Sequence, residues 1–170
     1  ITYGQALNDS KIAGKMKAGG RAIDGTFAWK NGTFKPNAGD YTASWTFTPD
    51  APEYATATGI VTVTVNPKAV TVSGITAKDK VYDGNTNATL DCSNAKFDGI
   101  LENDTLTVTA TGTFEKADIG KQKVTISDFK LSGASAANYV PSTEDSQTET
   151  TATITAKKVT VTPDKKTKVY

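Results

Sequence analysis

A chain of 170 residues can bury a core without help from metals, yet this one has no histidine and a single cysteine, which excludes His-containing triads, His-ligated zinc and Cys-cluster sites. Lys and Arg number 19 against 18 Asp and Glu, so the formal charge is +1, with no basic stripe for nucleic acid and no acidic tail. No apolar run approaches the roughly 20 residues of a membrane-spanning helix. The chain opens at Ile1 with neither an initiator Met nor a signal peptide, and so reads as a fragment.

In chain order, the first landmark is "TYG" at Thr2-Tyr3-Gly4. "FAWKNGTF" (27–34) follows, and its Asn31-Gly32 pair predicts a type I′ hairpin turn, because both residues accept positive φ. "YTASWTF" (41–47) alternates, with Tyr41, Ala43, Trp45 and Phe47 on one face and Thr42, Ser44 and Thr46 on the other, the pattern of a half-buried strand. "GIVTVTV" (59–65) and "AVTVSG" (69–74) repeat the pattern across a joint of Asn66, Pro67 and Lys68. "KVYDGNTNATL" (80–90) then gives a strand end and a turn, with Tyr82, Asp83 and Gly84 as its structural residues. "TLTVTAT" (105–111), "KVTISDF" (123–129), "TATIT" (151–155) and "KVTVTP" (158–163) complete the predicted strands.

Short strands with turn signals every eight to twelve residues predict an all-β fold. The joint at 66–68 recurs as Ala156-Lys157-Lys158, and the tyrosine landmark recurs at positions 3, 82 and 170. The chain is therefore read as two tandem small β-sandwich-like (Ig-like) repeat domains, residues 1–66 and 67–157. The first lacks its opening strand, and 158–170 is the opening strand of a truncated third repeat. An open sheet edge in the first repeat, together with the unattached strand at 158–166, predicts strand-mediated self-association.

Residues 67–157 resemble the YDG family of bacterial surface repeats. The resemblance rests on "KVYDGNT" at 80–86, Gly99, Asp104, "GTF" at 112–114, Gly120, "KVT" at 123–125, "LSGASAANY" at 131–139 and "ATITAK" at 152–157. Residues 1–66, with "ITYGQAL", "GTFAW" and "AGDYTASWTFTPD", are similar to the glycine-bearing β repeats called MBG. The resemblance implies a module of an extracellular, adhesin-like surface protein whose partners are neighbouring repeats, with no catalytic residues to carry over. "LENDTL" (101–106) departs from the pattern, since Glu102-Asn103 stands where a glycine often precedes the aspartate.

Several residue groups carry candidate chemistry. Asp83, Asn85, Asn87 and Asp91 offer hard oxygen donors suited to calcium, although EF-hand spacing fails and a turn closed by Asp and Asn side chains accounts for them. "LENDT" and "TPDAPE" (48–53) take the same reading. Trp29, beside the predicted hairpin, is the candidate for stacking a glycan or contacting a host protein, whereas Trp45 falls in the core stripe with Tyr41 and Phe47. Cys92 in "LDCSNAK" has no neighbouring base and reads as a packing residue. Asn31, Asn87 and Asn103 open N-glycosylation patterns of the kind that arise by chance. A Lys-to-Asn or Lys-to-Asp amide cross-link would need an inward lysine, and alternation turns Lys123 outward. No spacing joins a nucleophile or paired carboxylates to a base, so a non-catalytic stalk or spacer is expected, with an adhesive binding module as the alternative.

Overall fold

The computed structural model describes residues 1–168. Among them there is no α-helix and no helix long and apolar enough to cross a membrane. The chain is all-β. Its strands are β1 (Met16–Ala18), β2 (Arg21–Ile23), β3 (Gly25–Trp29), β4 (Gly39–Pro49), β5 (Ala57–Val65), β6 (Lys68–Ser73), β7 (Thr76–Ala77), β8 (Lys80–Val81), β9 (Asn87–Ala88), β10 (Leu90–Asp91), β11 (Lys96–Asp98), β12 (Thr107–Phe114), β13 (Gly120–Ser132), β14 (Tyr139–Pro141) and β15 (Glu149–Thr155). Single 3-10 turns lie at Leu7–Asp9 and Ala136–Asn138.

Two compact units are present. The first comprises residues 1–73, 96–108 and 130–146, and the second 74–95, 109–129 and 147–168 of the described chain. This division differs from a cut at 66/67, because β6 pairs with β11 on one side and β14 on the other, and all three group with residues 1–66.

The first unit holds the antiparallel sheet β3-β4-β5, the sheet β11-β6-β14 and the hairpin β1-β2. Alternation in β4 does what the pattern predicts: Ala43 and Phe47 are buried and Tyr41 and Trp45 half-buried, while Thr42 and Ser44 face solvent. Phe27 pairs with Phe47 and Trp29 with Trp45 across the β3–β4 ladder, so the aromatic residues share one face. Phe27 meets Trp45 edge-on at 5.4 Å between ring centroids. Leu7, Pro36, Val65, Val70, Val72, Val108 and Tyr139 are buried here as well.

The second unit is built on the sheet β8-β15-β13-β12-β9, with β10 paired to β7. Phe114, Val124, Ala152 and Ile154 form its core, against which Ala77, Ala88 and Leu90 pack. In β13 the inward positions run Gln122, Val124, Ile126 and then Phe129, Leu131, so the phase slips by one at Ser127-Asp128. Asp128 takes φ +53°, the left-handed conformation of a bulged residue, and the extra residue resets the alternation.

One register occurs in both units. Gly39 pairs with Val65 and Gly120 with Ile154, and these glycines have φ +114° and +118°. One residue further on, Thr2 bridges Asn66 in parallel and Val81 pairs with Thr155 in parallel. The tyrosine landmark closes each arrangement: Tyr3 N–H donates to Asn66 O at 2.9 Å, and Tyr82 N–H to Thr155 O at 2.8 Å. The sequence repeat is thus a repeat in backbone hydrogen bonding. The landmark at Tyr170 lies outside the described residues.

Two expected elements differ from the sequence reading. Asn31-Gly32 does not form a type I′ turn, since neither residue has positive φ. The β3–β4 connection runs instead through residues 30–38, with Phe34 N–H donating to Asn31 O at 3.0 Å. The Asn8 side chain rests on Gly32, where a Cβ would lie 2.0 Å from Asn8 Oδ1 and would displace that side chain. Residues 158–163 are not a strand in this chain. They carry no regular structure, with Val159 87% and Val161 82% exposed, because no neighbouring strand supplies ladder hydrogen bonds.

Candidate functional site

The "KVYDGNTN" loop is organised around an ammonium group. Lys80, at the edge of the second unit's sheet, directs Nζ at four oxygens: Asp83 Oδ1 at 2.8 Å, Asn85 O at 2.7 Å, Asn85 Oδ1 at 3.0 Å and Asn87 O at 3.1 Å. The Phe114 ring lies beneath it, 5.3 Å from Nζ to centroid. Asp83 Oδ1 also accepts the Asn85 amide and Asn85 Oδ1 the Asn87 amide, so successive side chains close the turn as predicted. Gly84, at φ +80°, allows the reversal. The Lys80 hydrogen bond, aided by the Asn85 amide, holds the Asp83 carboxyl below its usual range.

Three of the four candidate calcium ligands, Asp83, Asn85 and Asn87, therefore converge, but on the cation of Lys80. Asp91 does not join them. Its Oδ1 accepts from Ser93 Oγ at 2.6 Å and Ser93 N–H at 3.0 Å, and these bonds lower its acidity range. Among the described residues no group of three or more His, Cys, Asp or Glu gathers. The sequence signal for Lys80 is its spacing, with oxygen donors three, five and seven residues downstream.

A second polar cluster lies within the first unit. Tyr139 Oη donates to Asp104 Oδ2 at 2.5 Å, Tyr3 Oη to the same oxygen at 3.0 Å, and Ser135 Oγ to Oδ1 at 2.8 Å. Tyr139 Oη in turn accepts the Leu101 amide at 2.9 Å, and the Tyr3 ring stands edge-on to Tyr139 at 5.4 Å. Beside them Asn138, buried, accepts the Ala38 amide on Oδ1 at 2.9 Å and donates from Nδ2 to Asn37 Oδ1 at 3.3 Å. These bonds tie residues of the 1–66 stretch to residues 101–139. Burial and then the Asp104 carboxylate push the Tyr139 phenol up to about 12, and the same causes raise Tyr3. Three hydroxyl donors, Tyr139 foremost, keep Asp104 ionised to lower pH than usual.

The "LENDT" turn belongs to this cluster. Asn103 adopts φ +71° and Asp104 N–H donates to Leu101 O at 3.2 Å. Asparagine thus takes the left-handed conformation that a glycine would supply.

Trp29 is half-buried and its Nε1 donates to Ser10 O at 3.2 Å. It lines an open groove of about 1100 Å³ in the first unit with Phe27, Phe34, Lys11, Lys30 and Lys35. Cys92 is half-buried, and burial raises its thiol. Lys123 is exposed and forms an ion pair with Glu149 that raises its pKa, and Lys130 is exposed as well.

The YDG domain profile matches residues 66–150, half of the chain. The chain belongs to the YDG domain family. The matched stretch takes in both polar clusters described above except Tyr3, Asn37 and Ala38, which the preceding residues bring to the YDG domain. Comparison with curated proteins and with solved structures returned no match.

Proposed function

We propose that this chain is a non-catalytic spacer, part of a stalk of tandem β repeats in an extracellular, adhesin-like bacterial surface protein. In this reading residues 1–66 are an MBG-like, Ig-like repeat, 67–157 the YDG repeat, and 158–170 the opening strand of a third. The observation that carries it is the shared register, Gly39–Val65 with Tyr3–Asn66 and Gly120–Ile154 with Tyr82–Thr155. A unit that recurs with its landmarks spent on its own hydrogen bonds is suited to extension. The Tyr3–Asp104–Tyr139 cluster also supports it, since it joins the residues on either side of the 66/67 boundary without a flexible linker. The test is binding of the fragment to immobilised glycans and matrix proteins, with calcium and then with EDTA. A spacer gives no saturable binding.

The groove beside Trp29 favours a second reading, an adhesive module for a glycan or host protein. An aromatic wall with three lysines on its lining and no carboxylate would suit an anionic sugar. Saturable binding that Trp29→Ala weakens would replace the spacer reading with this one.

A further inference from the structure

We propose that Asn31 is a site of spontaneous deamidation, at which the Gly32 backbone nitrogen closes on the Asn31 side chain and a carboxylate is left in the groove beside Trp29. Three observations carry this inference, and none depends on either reading of function.

The first is the pair itself. Nine asparagines stand in the chain, and Asn31 alone precedes a glycine. A five-membered imide forms when the next amide nitrogen attacks an asparagine Cγ, and a glycine there puts no Cβ in the way. Asn66, by contrast, precedes a proline that has no N–H to give up.

The second is which groups are left free. Asn31 and Gly32 lie in the turn that follows β3, outside the β3–β4 ladder. Their carbonyls are engaged, Asn31 O by the Phe34 amide at 3.0 Å and Gly32 O by the Asn8 amide at 2.8 Å. The reacting groups are not. The Gly32 N–H donates to no acceptor among the described residues, and the exposed Asn31 side chain makes no hydrogen bond there. An amide proton without an internal acceptor is open to removal by hydroxide. Asn138 shows the opposite condition, buried with Oδ1 and Nδ2 both bonded, and Asn85 Oδ1 is held by Lys80 and the Asn87 amide.

The third is charge. Exposed Lys11, Lys30 and Lys35 line the same groove, and no carboxylate does. Nearby cations favour the anion that forms when the Gly32 amide loses its proton.

In the first step the Gly32 nitrogen gives its proton to solvent and bonds to Asn31 Cγ, and the side-chain nitrogen leaves as ammonia. Water then opens the imide. Cleavage between Cγ and nitrogen leaves aspartate, and cleavage at the backbone carbonyl leaves isoaspartate, with the chain rerouted through Cβ. Either product sets a carboxylate among the three lysines and takes the formal charge of the chain from +1 to zero. On the adhesive reading, the groove would then lose hold of an anionic ligand as the protein ages.

Incubation of the intact chain at neutral and at mildly alkaline pH tests this, read by ion exchange, ammonia release and fragmentation of the peptide that carries Asn31. The parent is expected to become more acidic by a single charge, faster at the higher pH, with ammonia released in step and the mass change placed on Asn31. An isoaspartyl methyltransferase should label part of that material. Asn31→Gln, which keeps the amide but enlarges the ring that attack must close, should hold its original charge over the same period. Gly32→Ala should also slow the conversion, but its Cβ would meet Asn8, so Asn31→Gln is the deciding variant. A parent whose charge stays constant overturns the proposal, as does an acidic species that maps to another asparagine or that Asn31→Gln still forms. A synthetic 27–35 peptide that converts while the folded chain does not would show that the fold shields the site, which overturns it as well.

Discussion

Tyr139 donates its phenolic hydrogen to Asp104 while the same oxygen accepts the Leu101 amide, so one buried hydroxyl is used in both directions. Its removal strands groups on two sides. Tyr139→Phe is expected to destabilise by about 2 kcal/mol, because it leaves an amide without an acceptor and a carboxylate one donor short. Asp104→Asn should cost about as much at neutral pH. The cluster also sets a pH window. Asp104 titrates near 4 in an unfolded chain and lower here, so its stabilisation is present above about pH 4 and is lost as pH falls through the depressed folded value. Tyr139 titrates near 10 when unfolded and about 12 when folded, so its contribution is whole below about pH 10 and is lost as pH rises toward 12. Chemical denaturation across pH checks both limbs, and Asp104→Asn should flatten the acid one.

Asn103 holds φ +71° at some cost for a residue with a Cβ. Asn103→Gly should stabilise the chain by about 0.5 kcal/mol and Asn103→Ala destabilise it by about 1 kcal/mol. Thermal melts of the two variants, moving in opposite directions from the parent, would check this.

Lys80 fills the centre of the YDG loop, with its side chain only 17% exposed. Lys80→Met leaves four oxygens without their shared donor, and because the loop oxygens are near water the global loss should be modest, about 1–2 kcal/mol. The local effect is larger, and hydrogen exchange at the Asn85 and Asn87 amides should accelerate. Calcium or EDTA should leave the melting temperature of the parent unchanged.

Gly39 and Gly120 have no atom within 4 Å of a Cβ built on them, so alanine at either position tests conformation without a clash. Both variants should lose about 1–3 kcal/mol, because φ near +115° suits glycine alone. Similar losses by urea denaturation at the two sites would show the glycines to be equivalent in energy as well as in register.

The strands were legible from period-two alternation wherever one face is buried. β4, β5, β6, β13 and β15 lie where the pattern puts them, and β12 begins two residues later than its pattern. What alternation could not carry was distance in sequence. Tyr3, Asp104 and Tyr139 each stood out as repeat landmarks, yet nothing local says that one carboxylate gathers both phenols. Asn31-Gly32 misled because its sequence suits a tight turn, while the packing of Asn8 on Gly32 and the long 30–38 connection determine the path. The Asp83 to Asp91 oxygens were read as metal donors or turn closers. Their convergence on Lys80 follows from a lysine that alternation alone would have placed on the surface.

The parallel pairing of Lys80-Val81 with Ile154-Thr155 has a mechanical meaning. A pull that draws the chain away ahead of Lys80 and beyond Thr155 acts along the two strands in opposite senses. It loads their hydrogen bonds together in shear rather than opening them one by one from an end. In the first unit Thr2 and Tyr3 lie against Asn66 in the same sense. Tyr3 and Tyr82 therefore sit where tension would be borne, and the short parallel pairings beside them would act as clasps.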